Sequence, residues 1–123
     1  MTVTLTNPDH PRTSPYIDGG GMFAEPGEWG AWVLAYLPQG AHDIEIDTGI
    51  TQHGPDGPTY AAGTIVQVPE GTSEEVVVTF QMPVGRDLVR VLPSARLRPV
   101  NWTFGDQVVR DVFPFEIDLS TID

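Results

Sequence analysis

Short runs of alternating hydrophobic and polar residues recur along the whole chain. The clearest one-sided stripe comprises four residues, Val76, Val78, Phe80 and Met82. Because successive side chains of a strand point to opposite faces, such runs predict β-strands. No window of eleven or more residues free of glycine and proline has the spacing of an amphipathic helix, so we expect no substantial helix.

Glycine and proline separate these runs and divide the chain into about eight predicted strands. The predicted strands are residues 2–6, 31–37, 42–47, 60–68, 75–82, 88–92, 96–104 and 108–119. Gly49–Pro58 is predicted to be a loop, and Pro114 predicts a break, a bulge or an edge position in the last run. Phe113, Phe115, Ile117 and Leu119 are expected to point inward from that run.

Turns at this spacing favour an all-β fold, an immunoglobulin-like, Greek-key β-sandwich of about seven to nine strands. A closed barrel is the alternative. With 123 residues, the sequence is expected to form a single domain, 1–123, excised from a longer protein.

The run from Ala31 to Leu37 is apolar on both of its faces. Trp32, Leu34 and Tyr36 alternate with Val33, Ala35 and Leu37. A strand with two apolar faces is either central in its fold or meets a partner.

Composition removes several classes of chemistry. The chain has no cysteine, and its six basic residues are all arginine, so disulfides, thiolate metal sites and lysine Schiff bases are excluded. A net charge of −11 argues against binding to nucleic acid or to anionic membranes. No apolar run approaches the ~20 residues that span a bilayer, so we expect no membrane insertion by this segment.

The basic residues are unevenly distributed. Residues 86–110 hold five of the six arginines, and Arg96 and Arg98 fall on one face of a predicted strand. This small cationic stripe either pairs with acidic strands of the same molecule or docks onto an acidic partner or a second copy.

Candidate metal and catalytic groups are sparse. Asp18, Glu25 and Glu28 surround a glycine run and are weak calcium candidates, because their spacing differs from that of an EF-hand. The three histidines are isolated, no serine lies in a Gly-x-Ser-x-Gly elbow, and no cofactor is indicated. We therefore expect no catalytic residue.

One group of carboxylates has a spacing compatible with glycoside hydrolysis. Asp43, Glu45 and Asp47 alternate along a predicted strand, successive members ~7 Å apart. The preferred interpretation is a solvated strand face whose charges block edge pairing.

A group of short motifs resembles the C-terminal region of a known family. The motifs are Val3-Thr4-Leu5-Thr6-Asn7, Pro15-Tyr16, Trp32 to Tyr36-Leu37-Pro38-Gln39-Gly40-Ala41, Val66 to Val68-Pro69-Glu70-Gly71, Leu92-Pro93 and Pro99-Val100-Asn101-Trp102. Their order resembles the tail of large, uncharacterised actinobacterial envelope proteins that contain a domain of unknown function. The resemblance implies an extracytoplasmic, β-rich region attached to a membrane-anchored part, and it carries no catalytic motif.

The sequence thus predicts a non-catalytic accessory or interaction domain of a bacterial cell-envelope protein, contacting protein or cell wall, or serving as a spacer. Candidate contact residues are Arg96, Arg98, Tyr16, Phe23 and Trp29, with Met22 and Tyr60 as further apolar candidates. The alternative is a carbohydrate-binding or carbohydrate-active module in which Trp29 and Trp32 stack on sugar. A hydrolase would need a convergent polar pocket.

Overall fold

The computed structural model of the chain describes residues 1–9, 25–92 and 101–121. Within these ranges it contains ten strands, every pair of them antiparallel, and one short 3₁₀ turn at Leu119–Thr121. The predicted all-β class is confirmed. The described part of the chain contains no helix of the length and apolar character that a membrane span requires.

The chain divides into two compact units, Met1–Met82 and Pro83–Asp123. The first holds β1 (Thr2–Asn7), β2 (Trp29–Pro38), β3 (His42–Ile46), β4 (Gln52–Asp56), β5 (Thr59–Val68) and β6 (Thr72–Gln81). The second holds β7 (Leu88–Val91), β8 (Asn101–Phe104), β9 (Gln107–Arg110) and β10 (Phe115–Asp118). The single domain 1–123 stays a prediction.

The first unit is a sandwich of two three-stranded sheets, ordered β1-β6-β3 and β2-β5-β4. Alternate residues from both sheets form one core, which comprises Ala35, Leu37, Ile46, Ala62, Val66, Val68, Val76 and Val78. Among the described residues the two sheets are not joined by a strand ladder, so a closed barrel does not describe this part. The immunoglobulin-like topology stays a prediction.

One strand of the sandwich lies where the sequence predicted a loop. β4 pairs with β5 over its whole length, with Gly54 opposite Ala61 and Pro55 opposite Tyr60. The loop prediction for residues 49–58 is therefore wrong in its central part. An edge strand tolerates glycine and proline because only one of its sides takes part in a ladder.

The second unit consists of two antiparallel ribbons, β7 with β10 and β8 with β9. The predicted run 108–119 is interrupted between Arg110 and Phe115, as Pro114 predicted. Phe113 falls in this interruption and is 75% exposed, so its predicted inward orientation is wrong. Arg96 and Arg98 lie outside the described residues.

Candidate functional site

The two faces of β2 have opposite environments. Ala35 and Leu37 are buried in the core, whereas Trp32, Leu34 and Tyr36 on the other face are 56%, 43% and 57% exposed. Among the described strands β2 is the edge of its sheet, because it pairs with β5 alone. The alternative in which this strand is central is therefore wrong for the described residues, and contact with a partner stays a prediction.

The exposed side of β2 continues onto β5. Ile65, which is 50% exposed, pairs with Trp32, while Gly63 pairs with Leu34 and Ala61 with Tyr36. The small residues of β5 leave room for the long side chains of β2, and Gln52 of β4 pairs with Gly63 on the far side. We call Trp32, Leu34, Tyr36 and Ile65 the aromatic face.

The outer side of the other sheet is polar. Its exposed positions on β1 and β6 include Thr2, Thr4, Thr6, Ser73, Glu75 and Thr79. The hydroxyls of Thr6 and Ser73 are hydrogen-bonded at 2.8 Å. Exposure of large apolar side chains is thus a property of one side of the sandwich and does not extend to the other.

The charged side chains described in the first unit are acidic. Its described residues include ten carboxylates and no arginine or lysine; the carboxylates are Asp9, Glu25, Glu28, Asp43, Glu45, Asp47, Asp56, Glu70, Glu74 and Glu75. On the side of the sheet that carries the aromatic face, the strand register places only Asp56, at the end of β4. The aromatic face is therefore an uncharged area on an acidic body.

Four of these carboxylates line one surface depression beside the end of the sheet at which β2 begins and β5 ends. Asp9, Glu25, Glu28 and Glu70, which we call the acidic end, surround it together with Pro26 and Pro69. The backbone N–H of Glu25 donates to Oε2 of Glu28 at 2.9 Å. Glu28 precedes β2 and Glu70 follows β5, so the acidic end adjoins the row where Trp29 pairs with Val68.

The calcium candidates are only partly brought together. Glu25 and Glu28 share the acidic end, whereas Asp18 lies outside the described residues. In the described ranges no three carboxylate or imidazole side chains are arranged to hold a metal ion. The acidic end is therefore a concentration of negative charge.

The sequence did not single out Asn7, which holds the base of the acidic end in place. Its side chain is fully buried at the end of β1, and its Nδ2 donates to the carbonyl oxygens of Gly27 at 2.7 Å and Val68 at 2.9 Å. Its Oδ1 is buried without a hydrogen-bond partner among the described residues. The sequence does contain one indication of this role. Asn7 is a polar residue at a position of β1 that faces the core, and a buried side-chain amide normally forms hydrogen bonds with backbone groups.

The predicted carboxylate row of residues 43–47 is not a regular one. The β3–β6 register shifts between His42 and Glu45, and Asp43 has a φ of +51°. Asp47 Oδ1 accepts hydrogen bonds from the backbone N–H of Val77 at 3.0 Å and of Thr48 at 2.9 Å. The even ~7 Å spacing expected of a straight strand therefore does not apply to Asp43, and Asp47 has a structural role.

The aromatic contact candidates lie in different places. Trp29 is 49% exposed but pairs with the fully buried Val68, so it belongs to the opposite side of the sheet from Trp32. The predicted Trp29–Trp32 stacking pair is therefore wrong, since odd and even positions of one strand point in opposite directions. Tyr60 is hydrogen-bonded to Nδ1 of His53 at 2.7 Å. Tyr16, Met22 and Phe23 lie outside the described residues.

The second unit has a small aromatic cluster of its own. The rings of Trp102, Phe104 and Phe115 lie with centroids 6.0–6.4 Å apart, and Trp102 Nε1 donates to Oδ2 of Asp111 at 3.2 Å. A cavity of about 630 Å³ is lined by Phe104 and Phe115 together with Asp106, Glu116 and Asp118. Asp118 Oδ1 also accepts the backbone N–H of Ser120 at 3.0 Å, which assigns it a turn-forming role.

Comparisons with protein-family models, with curated proteins and with solved structures found no match to this chain.

Proposed function

We propose that this chain is a non-catalytic interaction domain that contacts another protein through the aromatic face. One observation carries the proposal. Four large apolar side chains, between 43% and 57% exposed, lie together on a side of the sheet where Asp56 is the only carboxylate among the described strand residues, in a chain whose net charge is −11.

The aromatic face leaves apolar area in contact with water. Burial of such area is worth roughly 25 cal/mol per Å², and sheets normally cover an apolar face with another layer. Tryptophan and tyrosine are also the residues that contribute most at protein interfaces. Trp32 and Tyr36 would therefore act as the two anchors of the contact, with Leu34 between them.

The composition of the aromatic face favours a protein over a glycan as the partner. Leu34 and Ile65 occupy the area beside the aromatic rings, and an apolar patch with few charges at its centre is typical of protein interfaces. Sugar-binding surfaces need aromatic planes beside polar groups that bind hydroxyls.

A carbohydrate-binding module is the second candidate, with a different pair of rings from the pair predicted. Trp32 and Tyr36 share one strand face four residues apart, which corresponds to ~13 Å of strand. Gln52, on the same side of the sheet, offers an amide. These two rings could stack on separate sugars of one chain.

The cellular context of the proposal is the extracytoplasmic side of a bacterial envelope. Its support is the resemblance of the sequence to the C-terminal tail of actinobacterial envelope proteins. A domain of this kind would act as an accessory part of a larger, anchored protein.

Site-specific photo-cross-linking in the native host cells tests the proposal. A photoreactive amino acid at Leu34, in the aromatic face, should give a discrete cross-linked protein, whereas the same group at Thr4, on the polar side, should not. The combined substitution Trp32→Ala and Tyr36→Ala should reduce the Leu34 product. Cross-linking to glycan would favour the second candidate, and equal products from both positions would contradict both.

A further inference from the structure

We infer that the partner of the aromatic face is a protein segment that carries arginine or lysine on both sides of an apolar centre. The inference rests on the proposed function and deepens it, because it assigns the partner's charge. Its basis is the charge of the residues around the aromatic face.

Carboxylates lie beyond both ends of the aromatic face. At the Tyr36 end, Asp56 closes β4 and is paired with Thr59. At the Trp32 end, β2 begins at Trp29, directly after Glu28 of the acidic end. Glu28 is four residues from Trp32, or ~13 Å along the strand, so a segment that extends past Trp29 comes within one Debye length (~8 Å at physiological salt) of this carboxylate. A segment seated on the aromatic face therefore meets negative potential at both ends.

The charged side chains described in the first unit are carboxylates. Its described residues include no arginine or lysine; Glu25 and Asp56 are exposed and Glu28 is partly buried. A partner with cations next to its apolar side chains would be steered toward the site and would bind in a fixed register. A partner with acidic flanks would be repelled.

The same charges argue against a second copy as the occupant. Another copy would bring an equally acidic first unit to the contact, and like charges placed opposite each other across an interface cost free energy. A neutral glycan would not respond to the charge at all. A cationic protein segment, a second copy of the chain and a neutral glycan therefore differ in how salt and charge substitutions change their binding.

Selection of a random peptide library on the immobilised full chain tests the inference. We expect the enriched peptides to contain apolar residues together with an excess of arginine and lysine over acidic residues. A representative peptide should bind at least ~10-fold more tightly at low salt than its arginine-to-glutamine version. Its affinity should fall as salt increases.

Two matched sets of substitutions show which carboxylates favour the cationic peptide. Glu25→Gln, Glu28→Gln and Asp56→Asn together should remove most of the advantage of the cationic peptide. Glu45→Gln, Glu74→Gln and Glu75→Gln remove the same number of charges elsewhere on the first unit and should leave most of it. Trp32→Ala with Tyr36→Ala should weaken the cationic peptide and its glutamine version alike.

The failures of the two proposals are distinguishable. Peptides that depend on Trp32 and Tyr36 but show no excess of cations would overturn the charge inference and leave the proposed function standing. An absence of peptides that depend on these two residues would overturn the proposed function. A dimer in sedimentation that is lost in the Trp32→Ala, Tyr36→Ala variant would replace the cationic partner with a second copy.

Discussion

Leu34 lies across Gly63 of the neighbouring strand so closely that position 63 has no room for a side chain. A Cβ atom built on Gly63 would be 2.5 Å from Cδ2 of Leu34 and 3.0 Å from the carbonyl oxygen of Val33. The first contact could be relieved by rotation of Leu34, but the second involves backbone. The position of Leu34 in the aromatic face therefore depends on a glycine in β5.

Gly63→Val should destabilise the chain and change the aromatic face at once. Overpacking of this kind costs about 1–3 kcal/mol, and the added methyls would displace Leu34. Urea denaturation should show the loss, with Ala61→Val, at the next outward position of β5, as a milder control. Leu34→Ala in the Gly63→Val background should recover part of the stability, because it removes one of the two contacts. A Gly63→Val variant as stable as the wild type would contradict this packing.

Asn7→Asp should make stability depend on pH. The native amide donates to two buried carbonyl oxygens, those of Gly27 and Val68, and a carboxylate cannot donate to either. Burial beside these oxygens disfavours the charged form, so the introduced carboxyl has a pKa above its unfolded value of about 3.9. Folding then favours the protonated form, and the stability of the variant falls as the pH rises from the unfolded pKa through the higher folded one.

Denaturation at several pH values checks the sign of this effect. Relative to the wild type, Asn7→Asp should lose least stability below pH 4 and most at neutral pH. Asn7→Ala, which removes the donor without adding a charge, should cost about 1–3 kcal/mol at every pH. Thr6→Ala, which removes an exposed hydrogen bond to Ser73, is the control and should have a much smaller effect. A variant destabilised equally at all pH values would contradict the buried environment of the side chain.

The strands were largely predictable because most of them carry their own alternation. β5 and β6 were recognisable from their apolar and polar positions alone. β4 was not, since Gln52–Asp56 has no apolar alternation and becomes a strand only through pairing with β5. β4 forms because β5 pairs with it, so the residues of β4 taken alone do not indicate a strand.

The aromatic face was only half predictable. The sequence shows that β2 is apolar on both sides. The hydrophobic pattern cannot tell which of the two sides, that of Trp32 or that of Leu37, is buried. Which side is covered depends on where the second sheet packs, and that is decided by β1, β3 and β6. Trp29 lies outside the predicted strand 31–37, whereas β2 begins at Trp29, and the alternation of the strand then places Trp29 and Trp32 on opposite sides.

Asp47→Ala should loosen the junction between β3 and β6. The carboxylate of Asp47 accepts the backbone N–H of Val77, next to a position where the ladder register has shifted, and also that of Thr48. Hydrogen bonds to a charged group are worth about 1.5–3 kcal/mol when well formed, and exposure lowers this value, so we expect a loss of about 1 kcal/mol. Amide hydrogen exchange should show faster exchange at Val77.

Asp47→Asn is the matched variant for this site. It retains Oδ1, the atom that accepts both hydrogen bonds, and loses only the charge, so its loss of stability should be smaller than that of Asp47→Ala. Equal exchange at Val77 in the wild type and the alanine variant would show that the carboxylate does not protect this amide.

The last prediction concerns the backbone of Asp43, which has a φ of +51° at the irregularity in β3. In this left-handed region an L-residue costs about 1–2 kcal/mol relative to its usual conformation, and β-branched residues are the least tolerated. The contact between Asp43 Oδ2 and His42 Nε2, at 3.9 Å on an exposed surface, contributes little, so backbone conformation decides the outcome. Asp43→Val should therefore destabilise the chain by about 1–3 kcal/mol in urea denaturation, whereas Asp43→Gly should be neutral or slightly stabilising, because relief of strain is offset by the greater freedom of glycine in the unfolded chain. Equal losses from both substitutions would show that the carboxylate, and not the backbone, accounts for the residue at this position.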